Sequence, residues 1–215
     1  MSAFNPFNLS SSFVTFFAVV GPPKVLLAFA HLAHDRDRKE LVRLAGISSL
    51  VAALVGVAMA YSAGFLASLF HIGHESLELA GGLIFFTYAM ALVLGIHLGA
   101  GEEDSGQLSS PLADGLRELL LPYVASPLAI SAVLVESLDK DTLSWDTTIA
   151  TAYVAVAALN FIAVLILAPL LRRLRQTLLE VLSRLLGLLL AALGVEQFLD
   201  GLAALGVPIY TALGH

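Results

Sequence analysis

Long apolar stretches dominate the chain and predict helices that cross a lipid bilayer. A spanning helix needs about 18 to 20 mostly apolar residues, because the hydrocarbon core is about 30 Å thick. Six stretches reach or approach that length, at residues 13–32, 44–70, 79–96, 119–135, 147–171 and 185–205. The pattern therefore predicts an all-α fold: a polytopic membrane protein with six transmembrane helices in a single transmembrane domain, residues 1–215.

Prolines interrupt the first and fourth of these stretches. The first contains Gly21-Pro22-Pro23-Lys24, and the fourth contains Ala125-Ser126-Pro127. Proline has no backbone N–H and breaks the helical hydrogen-bond ladder. Irregular backbone at membrane depth is tolerated only inside protein or beside a water-filled cavity. Paired broken helices are the best indication in a sequence of a transporter's binding site.

A polar stretch at residues 99–115 divides the spans into two sets of three. We interpret residues 11–98 as a first three-helix repeat, 99–115 as a cytoplasmic linker and 116–205 as a second repeat. Because each set has an odd number of spans, the second set enters the membrane upside down. Each set also opens with a broken helix, which predicts a 3+3 inverted repeat.

Composition and charge narrow the class of protein. Hydrophobic residues make up 58% of the chain and charged residues 13%, whereas soluble domains have about 25% charged residues. The absence of cysteine excludes disulfides and thiolate metal sites. The net charge of −6 argues against nucleic acid as a partner. No cofactor is expected, and the chain has no catalytic motif of the common hydrolase, zinc-protease or nucleotide-binding kinds, so we do not expect an enzyme.

The distribution of lysine and arginine predicts the orientation. Nine of these residues fall in the first, third and fifth loops: Arg36, Arg38, Lys39, Arg43, Arg117, Arg172, Arg173, Arg175 and Arg184. The second and fourth loops together carry only Lys140. The positive-inside rule then makes the odd-numbered loops cytoplasmic. We expect a multi-pass protein of the inner (plasma) membrane with both termini outside the cytoplasm.

Two ionisable residues are predicted to lie deep in the membrane. Helical rise places Lys24 about 14 Å from its cytoplasmic end and Glu196 about 18 Å from Arg184, near the level of Ser126. One hypothesis is that they pair and that Glu196 exchanges a coupling proton. The alternatives are a static ion pair, or a lysine whose stem reaches back toward the interface.

The predicted substrate-binding residues combine the two interruptions with the third and sixth spans. They are Gly21, Pro22, Pro23, Lys24, Gly81, Gly82, Ala125, Ser126, Pro127 and Glu196. Glycines in lipid more often allow close helix packing than ligand contact, and we expect Gly56, Ala60 and Gly64 to pack in that way. Asn160 and Thr87 are expected to hydrogen-bond between helices.

Histidines near two loops raise the alternative of a divalent-metal exporter. His31 and His34 lie with acidic residues at the end of the first span, and His71 and His74 lie near Glu75 in the second loop. Imidazole and carboxylate groups bind divalent metals, but N/O ligands alone discriminate poorly. No specific metal site is assigned.

Several passages resemble the MarC family of bacterial and archaeal inner-membrane proteins. They are Leu-Phe-His-Ile-Gly at 69–73, the Ala-Gly-Gly passage at 77–86, Pro-Tyr-Val-Ala-Ser-Pro-Leu-Ala-Ile at 122–130 and the passage from 184 to Gly201. The resemblance implies six spans and membership of the lysine-exporter-like transporter superfamily, in which some relatives are described as carrying small neutral amino acids. Lys24 and Glu196 depart from the family pattern, which has other residues at both positions.

Taken together, these observations predict a secondary transporter of a small solute. A small neutral amino acid fits best, with proton coupling as a further hypothesis. Partners would be the small-molecule substrate and the lipid bilayer, and small-residue faces allow a homodimer. A non-transporting membrane scaffold is the alternative from a different class. The substrate, the direction of transport and the coupling ion are left open by the sequence.

Overall fold

The computed structural model describes residues 6–22, 25–26, 29, 37–95, 127–140, 142–171 and 176–208. Within these ranges the fold is helical, without strands. Six helices are present: α1 (Pro6–Val20), α2 (Arg38–Phe70), α3 (His74–Leu94), α4 (Pro127–Leu138), α5 (Leu143–Leu171) and α6 (Gln176–Ala204). The all-α prediction is confirmed for this part of the chain.

Four of the helices are long and apolar enough to cross a membrane. They are α2, α3, α5 over Leu143–Leu167 and α6 over Glu180–Ala204. Helices α1 and α4 are shorter, with 15 and 12 residues. Residues 119–126, the first part of the predicted fourth span, lie outside the described ranges. The described residues therefore support a membrane protein with four spanning helices, plus two shorter helices where broken spans were predicted.

The long helices extend beyond the apolar stretches that predicted them. Helix α2 begins at Arg38 rather than Leu44, and α6 begins at Gln176 rather than Leu185. Charged residues at these positions favour helix as readily as leucine does, so the helix continues after the apolar stretch ends. Helix α2 closes on His71, whose φ of 53° gives the left-handed turn that leads into α3.

Contacts between side chains fix the direction of each helix. The turns 71–73 and 139–142 lie at one end of the bundle, which we call the turn side. Tyr61 and Thr147 meet near this end, with 3.1 Å between their hydroxyl oxygens, so α2 and α5 are antiparallel. Gly201 lies against the backbone of Glu75, so α6 ends at the turn side as well.

The short helix α4 lies at the centre of the core. Leu128, Ala129, Ala132 and Val133 each have 1% or less of their surface exposed, and α4 packs against α1, α2, α3 and α5. The longer helices carry large apolar side chains on the outer surface, such as Leu54, Phe65 and Leu188. A chain that is apolar on both its inner and outer surfaces is suited to lipid as its solvent.

Candidate functional site

The interruption of α1 exposes backbone acceptors inside the protein. Gly21 donates to the carbonyl of Phe17 at 3.0 Å, so the helical bonding continues to that point. Pro22 and Pro23 have no N–H, and the carbonyls of Ala18 and Val19 therefore have no helical donor four residues on. Gly21 and Pro22 are both buried. A Cβ at Gly21 would overlap the Phe17 carbonyl oxygen, so this position requires glycine.

Asn160 of α5 reaches across to the interrupted helix. Its Nδ2 donates to the carbonyl oxygen of Val20 at 2.7 Å. The partner is a carbonyl, which can only accept, so the bond also fixes which end of the amide faces α1. The prediction that Asn160 hydrogen-bonds between helices is confirmed. Thr87 instead donates to Leu83 within its own helix at 2.8 Å, so that prediction is wrong.

The other end of the Asn160 amide is an unsatisfied acceptor. Only 8% of the residue is exposed, and Oδ1 has no hydrogen-bond partner among the residues described. Leaving a buried polar atom unsatisfied costs about 1–3 kcal/mol. Asn160 also lies well inside α5, far from Leu143 and Leu171. A buried amide oxygen at this depth is a ready acceptor for a ligand that carries N–H groups.

The two interruptions lie at the same level of the bundle. Ser12 Oγ donates to Glu136 Oε2 at 2.7 Å, which joins α1 to α4 near the turn side. Gly21 lies nine residues after Ser12 on α1, and Pro127 lies nine residues before Glu136 on α4. Helix α1 runs parallel to α5, since Phe16 contacts Tyr153 and Val20 bonds to Asn160, and the start of α5 meets the end of α4 through Trp145 and Glu136. Helices α1 and α4 are therefore antiparallel, and both points lie about 14 Å below the bond. The buried amino end of α4 therefore lies level with the interruption of α1.

Glycines on α3 and α6 form a tight contact, which we call the α3–α6 seam. On α6, Gly187, Gly194 and Gly201 recur every seven residues and face the carbonyls of Ala89, Gly82 and Glu75. A Cβ built on Gly82 would lie 2.6 Å from the Gly194 carbonyl oxygen and 2.7 Å from the backbone nitrogen of Phe198. Gly82 thus packs backbone against backbone, and no space for a ligand remains beside it.

Gly81 faces a different junction, where α3, α4 and α6 meet. A Cβ at this position would lie 3.1 Å from Nε2 of Gln197 and 3.5 Å from Val135. Gln197, not Glu196, therefore turns toward the interior. Glu196 is exposed on the outer surface of α6 and not inside the protein, and its depth in the membrane stays a prediction. Its exposure follows from helical register: Gly194, Gln197 and Gly201 share the inner face, and Glu196 points about 100° away from Gln197.

Four predicted site residues lie outside the described ranges: Pro23, Lys24, Ala125 and Ser126. The pairing of Lys24 with Glu196 therefore stays a prediction. Pro127 begins α4 as the interruption predicts. Of the small residues predicted to pack on α2, Gly56 and Ala60 are buried, and a Cβ at Gly56 would overlap the Tyr153 ring. A Cβ at Gly64 would meet no atom within 4 Å, so Gly64 packs against no other helix among the described residues.

Comparison with known proteins identifies the family. The model of the MarC family of integral membrane proteins matches residues 7–205. The chain belongs to the MarC family. It is 29% identical over 194 residues to the UPF0056 membrane protein YhcE of Escherichia coli, covering 88% of this chain and 89% of the relative. No solved structure matches the chain.

Relatives in other organisms are similar over nearly their whole length. The UPF0056 membrane protein YvbG of Bacillus subtilis is 27% identical over 206 residues, covering 93% of this chain and 96% of that protein. A UPF0056 membrane protein of Archaeoglobus fulgidus is 24% identical over 197 residues, covering 90% and 91%. These names state that the MarC relatives are membrane proteins and assign them no substrate.

One polar residue of this MarC chain was missed by the sequence analysis. The apolar stretch 119–135 predicts that the span ends before Glu136, but Glu136 lies within α4, half-buried and bonded to Ser12. The apolar stretch ends at Val135, which placed the boundary one residue too early. The histidines predicted as an alternative metal site show a simpler arrangement: His74 Nε2 lies 3.0 Å from Glu78 Oε1. The described residues contain no group of three or more metal-binding side chains.

Proposed function

We propose that this MarC-family protein is a secondary transporter of a small solute, and that a small neutral amino acid is the substrate class that fits best. The observation that carries the proposal is the Oδ1 of buried Asn160 beside the interrupted α1, which has no hydrogen-bond partner in the part of the chain that the structure describes. Buried polar groups in membrane proteins are costly and mark functional sites. On this proposal the protein moves its substrate without chemical conversion and is not an enzyme.

The groups around the interruption suit a zwitterion. Asn160 Oδ1 and the carbonyls of Ala18 and Val19 are acceptors, which match an ammonium group. The amino end of α4 carries backbone N–H groups and the positive end of the helix dipole, which match a carboxylate. The described residues of α1, and those of α4 from Pro127 to Val135, carry no charged side chain. The acceptors and the helix amino end thus match the two charged groups of a zwitterion.

Helix pairing supports the inverted repeat that such a transporter would use. Five helix pairs form a set that is unchanged when the first three helices are exchanged with the last three: α1–α5, α2–α4, α1–α4, α2–α5 and α3–α6. Two further pairs among the described residues, α3–α4 and α4–α5, have no such counterpart. The number of residues between Pro22 and Pro127 equals the number between Gly82 and Gly187. Both features are what two inverted three-helix repeats would produce.

Charge on α2 supports an orientation. Arg38, Lys39 and Arg43 lie at the beginning of α2, at the end of the bundle away from the turn side. On the turn side, the described residues include one lysine or arginine, Lys140. We therefore take the turn side as the outer face of the plasma membrane, with α1 entering from outside.

The proposal is tested by ligand binding and transport with Asn160→Leu. Purified protein is mixed with glycine, alanine, serine or threonine, and the shift in Tm is measured. Proteoliposomes then report counterflow of the labelled amino acid that gives the largest shift. We expect the variant to bind at least about tenfold more weakly, since losing a buried hydrogen-bond partner is worth about 1.4 kcal/mol or more.

Thr148→Val is the matched control on the same helix. Thr148 is also 8% exposed, but its hydroxyl bonds only to Ser144 within α5, at 2.9 Å. This variant should keep ligand binding and counterflow near the parent values. If none of the four amino acids shifts the Tm or exchanges in folded parent protein, the amino-acid proposal is wrong. Equal counterflow in Asn160→Leu and parent would remove Asn160 from the site.

A further inference from the structure

Glu136 is a carboxylate placed between the two interrupted helices. It lies on α4, and its Oε2 accepts from the Ser12 hydroxyl of α1 at 2.7 Å. Ser12 is only 1% exposed, so this bond lies inside the protein at the helix contact. This side-chain bond joins α1 to α4 directly. The charge on Glu136 therefore acts directly on the contact between these helices.

The α4 side of this contact is fixed to α5. The indole Nε1 of Trp145 donates to the backbone carbonyl of Glu136 at 2.7 Å, and this carbonyl is one of the four at the helix end that have no helical partner. The Lys140 ammonium lies 3.8 Å from the centre of the Trp145 ring. Helix α1 is held to α5 deeper in the bundle, where Phe16 packs on the Tyr153 ring and Asn160 bonds to the Val20 carbonyl. Ser12 lies closer to the turn side than these two contacts, at the bond with α4.

The charged groups on the elements around Glu136 lie on α3, in the turn before α5 and at the start of α5. On α3, His74 pairs with Glu78, and Glu75 lies at the helix start. In the turn before α5, Lys140 lies 3.9 Å from Asp139, and Asp146 follows on α5. The described part of α1, and α2 from residue 44 to 70, carry no charge. No cation among the described residues lies within salt-bridge distance of Glu136.

We propose that Glu136 is the proton-binding residue of this protein, and that its protonation loosens α1 from α4 on the turn side. The inference rests on the proposed transport function for its coupling role. A proton passes from hydronium to a carboxylate oxygen, forming an O–H bond and leaving water. The Ser12 bond then changes from one with a charged acceptor to one with a neutral acceptor, and neutral bonds are roughly half as strong.

Glu136 takes the role that the sequence suggested for Glu196. Glu196 is exposed on the outer surface of α6. Glu136 lies nine residues from Pro127, and its partner Ser12 lies nine residues from Gly21. Opening the contact above these points would connect the interruptions with the turn-side surface. Proton binding at Glu136 thus offers a physical link between a pH gradient and access to the site.

The test uses the full-length protein in proteoliposomes, with Glu136→Gln and Glu196→Gln compared with the parent. Infrared difference spectra between low and neutral pH detect the carbonyl stretch of a protonated carboxyl group and need no substrate. We expect the Glu136→Gln spectrum to lack a band that the parent and Glu196→Gln both show. Glu136→Asp keeps a carboxyl group and should retain a band, which guards against misfolding of the glutamine variant.

Transport then separates coupling from binding. Unlike Glu196→Gln, Glu136→Gln should show counterflow of alanine that no longer depends on pH, since its side chain cannot bind the proton. It should lose accumulation driven by a pH gradient. Identical infrared spectra for Glu136→Gln and parent, or unchanged gradient-driven accumulation, would overturn the inference. Absence of flux in the parent would instead contradict the transport proposal, while the infrared band would still decide proton binding at Glu136.

Discussion

The α3–α6 seam and the group formed by α1, α4 and α5 use glycine and polar residues in opposite ways. In the seam, Gly82 and Gly194 bring two backbones into direct contact. In the other group, Gly21 precedes an interruption, and Asn160 presents an unsatisfied oxygen beside it. A glycine in a membrane helix therefore indicates either close packing or irregular backbone, and neighbouring residues decide which.

The seven-residue repeat explains the regularity of the seam. Gly187, Gly194 and Gly201 return to the same face every two turns, as the contact residues of packed helices do. Apolar driving force between helices is weak in lipid, so close van der Waals contact between small residues supplies much of the association. By contrast, the interrupted group keeps polar atoms that close packing would exclude. The seam is suited to rigidity, and the interrupted group to ligand contact.

The largest loss of stability should come from placing a side chain in the α3–α6 seam. Gly82→Val places methyl groups where even a Cβ would lie 2.6 Å from a backbone oxygen, so α3 and α6 must separate. We expect a loss of about 3 kcal/mol, at the upper end of overpacking costs. Thermal unfolding in detergent, followed by circular dichroism, measures the loss.

Gly64→Val on α2 is the control for that change. A Cβ at Gly64 would meet no atom within 4 Å, and the residue is exposed. Its substitution should leave Tm unchanged or slightly higher, since glycine costs about 0.5–1 kcal/mol relative to alanine inside a helix. Equal Tm values for the two variants would show that the seam is not the rigid contact described here.

Trp145→Phe, in the group formed by α1, α4 and α5, should cause a smaller loss of stability. The change removes the indole N–H that bonds to the Glu136 carbonyl at 2.7 Å. The expected loss is about 1 kcal/mol, typical of one hydrogen bond, and chemical denaturation followed by circular dichroism measures it. Tyr61→Phe, which removes the exposed hydroxyl contact with Thr147, should cost less. The reverse order would mean that the end of α4 is not anchored by Trp145.

The smallest effect is expected at Lys140. Its ammonium is near Asp139 and the Trp145 ring, but 46% of the side chain is exposed. An exposed ion pair and an exposed cation–π contact each contribute about 0.5 kcal/mol, and both weaken with salt. Lys140→Gln should therefore lower stability slightly at low salt and leave it unchanged at high salt. A larger, salt-independent loss would make Lys140 part of the anchor of α4.

Hydrophobic length predicted the helices of this protein well, because lipid imposes that length directly. The stretches behind α2, α3, α5 and α6 could be read without any knowledge of packing. The interruption at Gly21-Pro22 was equally visible, since proline acts through its own covalent structure. What could not be predicted was the helical face that each polar residue occupies. Glu196 and Gln197 are neighbours in sequence, and only the packing of α6 against α3 turns Gln197 inward.

The role of Glu136 was missed for a related reason. A charged residue directly after an apolar stretch normally marks the end of a membrane helix, so the sequence predicts that the span ends before Glu136. In the structure α4 continues to Leu138, and Ser12 from a distant part of the chain meets the carboxylate. A contact between residues so far apart in sequence has no local signal. The seven-residue glycine repeat of α6, in contrast, was present in the sequence and could have indicated the seam.

The length of α2 has a consequence for the membrane in which the protein works. Its uncharged part, residues 44–70, measures about 40 Å at 1.5 Å per residue, whereas the hydrocarbon core is about 30 Å thick. The mismatch can be absorbed by a tilt of about 40°, at the upper limit seen for membrane helices. Because α2 packs along α5, and α5 holds the interrupted α1 through Asn160, a change in bilayer thickness that alters this tilt is transmitted to the interruption. The acyl-chain length of the surrounding lipid therefore affects the position of the interrupted α1.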